Sequence, residues 1–224
     1  MLEALSIHPF EPIEEVSLKF LTLKLTFLLA ITSARRVGDL LALSMKEPFL
    51  RVQPDRITLR ADPLYLPKVA SLFHRTQDII LPSFCSEPKN EKEKKFHLLD
   101  VRRCLLIYLE RTKSFRRSNH LLVLHAGPRK GLQASKASVS RWIREAISKA
   151  YVCTGATAPI KIKAHCTRAI ATSWAEKAGA SWEQIRSAAT WSSRHTFLKH
   201  YRVEMLSQQD LAFGRKVLQA VVPP

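Results

Sequence analysis

Acidic residues are scarce in this chain of 224: 19 Asp and Glu face 36 Lys and Arg, giving a formal charge of +17 and a pI near 10.1. A surplus of that size favours a polyanionic partner. The basic residues are spread over Arg35-Arg36, Lys94-Lys95, Arg102-Arg103, Arg116-Arg117 and Lys161/Lys163, so no single tail accounts for the charge. Cysteines are few and isolated: Cys85, Cys104, Cys153 and Cys166 form no Cys-x-x-Cys pair of the kind zinc uses and no dense disulfide framework. Free thiols are expected. A long apolar run is also missing, because the best stretch, Leu18 to Ile31, is interrupted by Lys19, Thr22, Lys24 and Thr26. It falls short of the roughly 20 apolar residues of a membrane span and is expected to be a core helix. The N-terminus carries Glu3, Glu11, Glu14 and Glu15 and no basic region leading into an apolar one, so no secretory signal is expected. A reducing interior compartment is therefore expected, and no internal repeat is visible.

What is present reads as a globular chain with 46% apolar residues, enough for a core. After a polar start containing Pro9 and Pro12, residues 15–33 read as a Leu-rich helix, followed after a turn by a short second helix within 35–43. The stretch 49–82 changes character. Phe49-Leu50-Arg51-Val52, Arg56-Ile57-Thr58-Leu59-Arg60 and Asp78-Ile79-Ile80-Leu81 are short, β-prone and separated by prolines, and three antiparallel strands are expected. Residues 86–95 read as a charged loop. From His97 to Arg111 apolar residues recur at helical spacing, and another helix is expected from an N-cap at Ser135, with Val139, Trp142, Ile143, Ala146, Ile147 and Ala150 as its apolar stripe. Between them Leu121–Leu124 reads as a short strand or an extended segment and Gly127–Gly131 as a basic turn. Four short helices are expected beyond Pro159, near 165–178, 181–189, 194–201 and 207–220. The fold class is mainly α with a small antiparallel β-sheet (α+β).

Few residues carry the marks of chemistry. His165 and Arg168, three apart on an expected helix, face the same way and can converge on one ligand group. Upstream stands Ala34-Arg35-Arg36-Val37-Gly38-Asp39-Leu40-Leu41-Ala42-Leu43, and downstream Trp191-Ser192-Ser193-Arg194-His195-Thr196-Phe197-Leu198-Lys199-His200-Tyr201. In that order these segments resemble the catalytic domain of the tyrosine recombinase family, over about residues 15–205. The Trp-Ser-Ser-x-x-Thr-Phe-x-x-x-Tyr ending looks most like the recombinases of DIRS-like retrotransposons.

The resemblance implies that Arg36 is the first catalytic arginine and Asp39 its supporting acid. It makes His165 and Arg168 the His-x-x-Arg pair, places Trp191 where relatives carry His or Trp, and makes Tyr201 the nucleophile. Lys68, between the second and third strands, is the candidate for the family's hairpin lysine. Trp191 and Tyr201 stand one position further apart than in most phage and bacterial relatives. The family's usual N-terminal DNA-clamping domain is expected to be missing, and residues 1–14 read as an extension or linker remnant. Residues 206–224 are expected to form a C-terminal helix, a segment that relatives exchange between protomers. Duplex DNA, a homo-oligomer assembled on it and a nuclear or other DNA-containing compartment are the expected partners and place; no cofactor or metal is required.

The physical logic stands beside that resemblance. Breaking a phosphodiester by direct displacement needs a nucleophile, a stabiliser for the pentavalent transition state and a proton for the departing oxygen. A tyrosine phenol supplies the first. Arginine forks supply the second, while His165 and Lys68 are placed to handle protons. Trp191 offers an indole N–H, a donor only. Alternatives of other kinds are a non-catalytic DNA-binding remnant, a type IB topoisomerase and a protein-interaction scaffold.

Overall fold

The computed structural model describes residues 1–67, 77–191 and 193–202. Its helices are α1 (Leu18–Ser33), α2 (Val37–Leu41), α3 (Glu91–Leu98), α4 (Val101–Thr112), α5 (Lys136–Cys153), α6 (Cys166–Lys177), α7 (Trp182–Ala189) and α8 (Arg194–His200). Strands β1 (Leu50–Val52), β2 (Arg56–Leu59) and β3 (Ile79–Pro82) form one antiparallel sheet in the order β1-β2-β3. Leu50 pairs with Leu59, and Leu59 in turn with Ile79. Ile57, Leu59, Ile79 and Leu81 turn one face of the sheet into the core, as a two-residue period requires. The mainly helical α+β class expected from the sequence is the one observed.

The most apolar stretch of the chain is the central helix. α1 begins at Ser17, whose hydroxyl accepts the Phe20 amide proton, and buries every residue from Leu21 to Ala30. A helix covered on all sides needs partners all round; α4, α5, α6 and α2 provide them. Its buried hydroxyls are satisfied within the helix, since Thr22 and Thr26 donate to the carbonyls of Leu18 and Thr22, each at 2.7 Å.

Lys24 is the exception, a fully buried cation paired with the carboxylate of Glu11. Arg103 joins the pair, donating to Glu11 at 3.1 Å and to Glu14 at 2.9 Å. Burial pushes the Lys24 ammonium pKa down, while Cys104 and Glu11 oppose that shift. Leu5, Phe10 and Ile13 are fully buried in the same core, so residues 1–14 pack on the helical body. Glu11→Gln strands the Lys24 charge and is expected to destabilise the protein by about 3–5 kcal/mol in urea unfolding. The double change Glu11→Leu with Lys24→Met is expected to recover most of that loss. A single variant as stable as the parent rules out a structural role for the pair.

Two local expectations are corrected. Residues 86–95 are not all loop: the Asn90 side chain accepts the Glu93 amide proton at 2.9 Å and starts α3, whose first turn is rich in Glu. The helix expected from His97 to Arg111 is two helices, because the buried Asp100 carboxylate accepts the Arg103 amide at 3.0 Å and caps α4. The same carboxylate accepts the Phe84 amide at 2.8 Å. This tie to the chain leaving β3 holds the break in place. Ser135 does cap α5 as expected. The segment expected to be helical at 207–220, with the rest of 206–224, lies outside the described residues, as does Lys68. Among the described residues no helix is long and apolar enough to cross a membrane.

Candidate functional site

The C-terminal end of α1 meets two later pieces of chain, and the meeting point is Arg168. α1 ends at Ala34, whose left-handed backbone (φ 51°) turns the chain sharply into Arg35 and Arg36. Thr190 ends α7 in the same conformation (φ 49°) and turns the chain into Trp191. Among the described residues these are the only two non-glycine positions with positive φ, and for a β-branched residue that conformation is an outlier. Both turns serve Arg168. Its guanidinium donates to the carbonyl of Ala34 at 2.9 Å and to the carbonyl of Ala189. Strain at two helix ends thus places two acceptors around one buried cation.

Arg168 also carries the aromatic side of the site. Its guanidinium carbon lies 4.8 Å from the centroid of the Trp191 ring and 5.5 Å from that of Tyr201. Trp191 packs against Tyr201 at 4.7 Å and stacks on Phe197 at 5.3 Å between centroids. This cluster fixes α8 against α7 and leaves Tyr201 partly buried as the residue that ends α8. Burial first, then the neighbouring Arg36, lower the Arg168 pKa to about 10, which still leaves it cationic at neutral pH. The Arg168 Nε and Trp191 Nε1 atoms are buried with no hydrogen-bond partner. Two unmet donors in one cluster are costly unless a ligand supplies an acceptor.

Arg36 and Asp39 are held differently from a surface ion pair. The Asp39 carboxylate accepts the Arg36 backbone amide at 3.0 Å, fixing the start of α2, and its other oxygen accepts the Tyr65 hydroxyl at 3.0 Å. The Arg36 side chain lines the two cavities beside α2. Arg35 turns into the protein, where it donates to the carbonyls of Asp78 at 3.2 Å and Gln77 at 3.5 Å and ties α2 to the sheet. His165 does not lie inside a helix as expected; it is the N-cap residue of α6, exposed, with Arg168 three residues on and buried. The Arg168 amide donates to the His165 carbonyl at 3.3 Å, which keeps His165 beside Arg168 yet in reach of solvent.

One open cleft of about 600 Å³ receives Arg36, His165, Arg168 and Tyr201 together. Four residues expected from three distant stretches therefore share one cavity. Trp191 lies behind Tyr201 and Asp39 behind Arg36. Lys136, Arg144 and Lys163 add cations to the wall, and no carboxylate is found among the described lining residues. A cavity whose charged lining is all cationic is suited to an anion.

By sequence the chain matches no family model and no curated protein. By structure it is similar to the XerH site-specific recombinase bound to palindromic difH substrate in a post-cleavage complex, with a TM-score of 0.58 and 15% identity over 97% of this chain and 50% of that one. It is similar also to the XerA recombinase, with a TM-score of 0.57 and 15% identity over 96% of this chain and 60% of that one. The fold is that of a tyrosine recombinase catalytic domain. This chain spans about half the length of the XerH recombinase.

Within the recombinase fold, the expected site residues Arg36, His165, Arg168 and Tyr201 stand in the positions just described. Lys136, Ser140 and Arg144 were not anticipated from the sequence. They lie four apart along α5, on one flank of its apolar stripe, and all three line the cleft. Their signal was available as the polar side of an amphipathic helix, but such a side is ordinarily only solvated. Tyr65 gave no signal at all. Its link to Asp39 spans 26 positions and arises from the packing of the β2–β3 connection on α2.

Proposed function

We propose that this protein cleaves and rejoins duplex DNA through a covalent 3′-phosphotyrosyl intermediate on Tyr201. The observation that carries the reading is the convergence of Arg36, His165, Arg168 and Tyr201 on one acid-free cleft. The Tyr201 oxygen attacks phosphorus and forms a new P–O bond as the 5′-oxygen departs with a proton. Attack by a 5′-hydroxyl reverses the step, so the bond's free energy is kept and no nucleotide cofactor is needed. Arg36 and Arg168 hold the non-bridging oxygens as charge builds on them. The unpaired Nε of Arg168 fits that role, for Arg168 lines the cleft and a phosphate oxygen there gives it an acceptor. His165, exposed at the head of α6, exchanges a proton with the phenol or donates to the phosphate, and Lys68 protonates the leaving oxygen.

The setting follows from the same reading. A homo-oligomer brings two DNA sites together, the work is mobile-element integration of the DIRS-like kind, and the protein acts in the nucleus. The described residues contain no cluster of His, Cys, Asp and Glu that could hold a metal ion, and the proposed displacement does not call for one.

Because the DNA site is unknown, the test uses a pool of nicked duplexes with randomised sequence around the nick, from which the cleaved strand end is lost and religation is blocked. Denaturant-stable protein–DNA adducts are expected, and sequencing the captured strands reads out the preferred site. DNA bound without any adduct, across a pool dense enough to contain every short site, favours the binding remnant. Affinity for duplex DNA is expected to fall by about 10³-fold or more between 50 and 200 mM salt, as binding dominated by phosphate contacts does. Affinity that ignores salt removes the electrostatic basis of the reading.

A further inference from the structure

We infer that Tyr65 is a positioning residue of this site, clamping the β2–β3 connection onto α2 so that Asp39 holds the backbone of Arg36 in register with the cleft. The inference rests on the proposed strand-transfer reading for its catalytic consequence, but the clamp itself is a matter of geometry. The Tyr65 hydroxyl donates to one oxygen of Asp39 while the other accepts the Arg36 amide, each at 3.0 Å, so hydroxyl, carboxylate and amide form one chain. The fit is close: a methyl group at Gly38 would come within 3.0 Å of the Tyr65 oxygen. The other end of α2 is moored to the same connection, because the Asp62 amide donates to the Ala42 carbonyl at 2.7 Å and the Tyr65 amide to the Asp62 carbonyl at 2.9 Å.

Placement makes that link matter. Tyr65 stands in the wall between the cleft that holds Arg36, His165, Arg168 and Tyr201 and a neighbouring cavity of about 350 Å³ formed between α2 and the sheet. Its neighbours Leu64 and Leu66 are exposed, so within residues 60–67 it is the Tyr65 side chain that reaches α2. Burial, and then the Asp39 charge, hold the phenol's pKa well above its ordinary value. It stays protonated and keeps donating over the pH range in which DNA is handled. Tyr65 is thus a hydrogen-bond donor to the site and not a second nucleophile.

Tyr65→Phe removes the hydroxyl alone. With the randomised nicked-duplex pool, the maximal rate of adduct formation is expected to fall about 10-fold or more, while the DNA concentration at half-maximal rate changes less than about twofold, because no DNA contact is removed. Amide hydrogen exchange in the peptide containing Arg36 is expected to quicken about 10-fold, the loss of one hydrogen bond's worth of protection. Gly38→Ala keeps both partners and crowds the hydroxyl, and it is expected to produce the same two changes even if Tyr65→Phe folds poorly.

Exchange at Arg36 that is unchanged in both variants overturns the clamp, as does a shift in half-maximal DNA concentration with no change in maximal rate. Should the parent protein form no adduct, the strand-transfer reading falls separately, and the exchange measurement alone decides whether Tyr65 positions Arg36.

Discussion

Tyr201→Phe is expected to abolish covalent attachment to DNA, by at least about 10⁴-fold in adduct rate, while leaving the protein folded and bound. The substitution removes one oxygen. The ring keeps its packing on Trp191, 4.7 Å between centroids, and its place under the Arg168 guanidinium, so neither the aromatic cluster nor the cation above it loses a partner. Among the described residues the other tyrosines offer no substitute: Tyr65 is engaged with Asp39, Tyr108 is fully buried with its hydroxyl donating to the Val123 carbonyl, and Tyr151 does not line the cleft. Thermal unfolding and duplex binding are expected to match the parent. An adduct formed by Tyr201→Phe moves the nucleophile elsewhere and removes the chemical role assigned to the end of α8.

Arg168→Ala is expected to damage both the chemistry and the fold. As a fixed fork at the phosphate, the guanidinium is worth about 10²–10³ in rate, in line with other donors aimed at developing charge. It is also the brace between two strained helix ends. Its removal leaves the carbonyls of Ala34 and Ala189 without their buried donor, a loss of about 1–3 kcal/mol for each acceptor left unpaired. Trp191 and Tyr201 lose the cation packed on their faces as well. Urea unfolding of Arg168→Ala is expected to show a destabilisation of a few kcal/mol, whereas Arg36→Ala, whose backbone and not its side chain is held by Asp39, is expected to impair cleavage with little change in stability. Equal stability losses in the two variants contradict the different anchoring assigned to them.

Most of the secondary structure was legible because it depends on neighbours in the chain. The apolar stripe of α5 and its Ser135 cap, the Leu-rich α1 and the alternation of Ile57, Leu59, Ile79 and Leu81 are local patterns, and each sits where its period places it. α3 was missed because its residues, Glu-Lys-Glu-Lys-Lys among them, bury nothing; the element rests on the Asn90 cap and carries no apolar face to announce it. The break at Asp100 was missed for a related reason. Apolar spacing continues across it, and the carboxylate that enforces it is oriented by Ser83 and Phe84, outside the helix pattern.

The candidate site divides along the same line. From the sequence alone came the residue types and their order: Arg36 and Asp39, then His165 and Arg168, then Trp191 and Tyr201. Motif spacing is carried by short stretches of chain, and those stretches survive in one dimension. Only the tertiary structure decided that Arg168 is anchored on a carbonyl 134 positions away, that Asp39 is shared between the Arg36 amide and the Tyr65 hydroxyl, and that the polar side of α5 forms a wall of the cleft. These are contacts between elements whose approach is set by burying α1 on every side, a collective outcome of core packing that no local pattern of residues encodes.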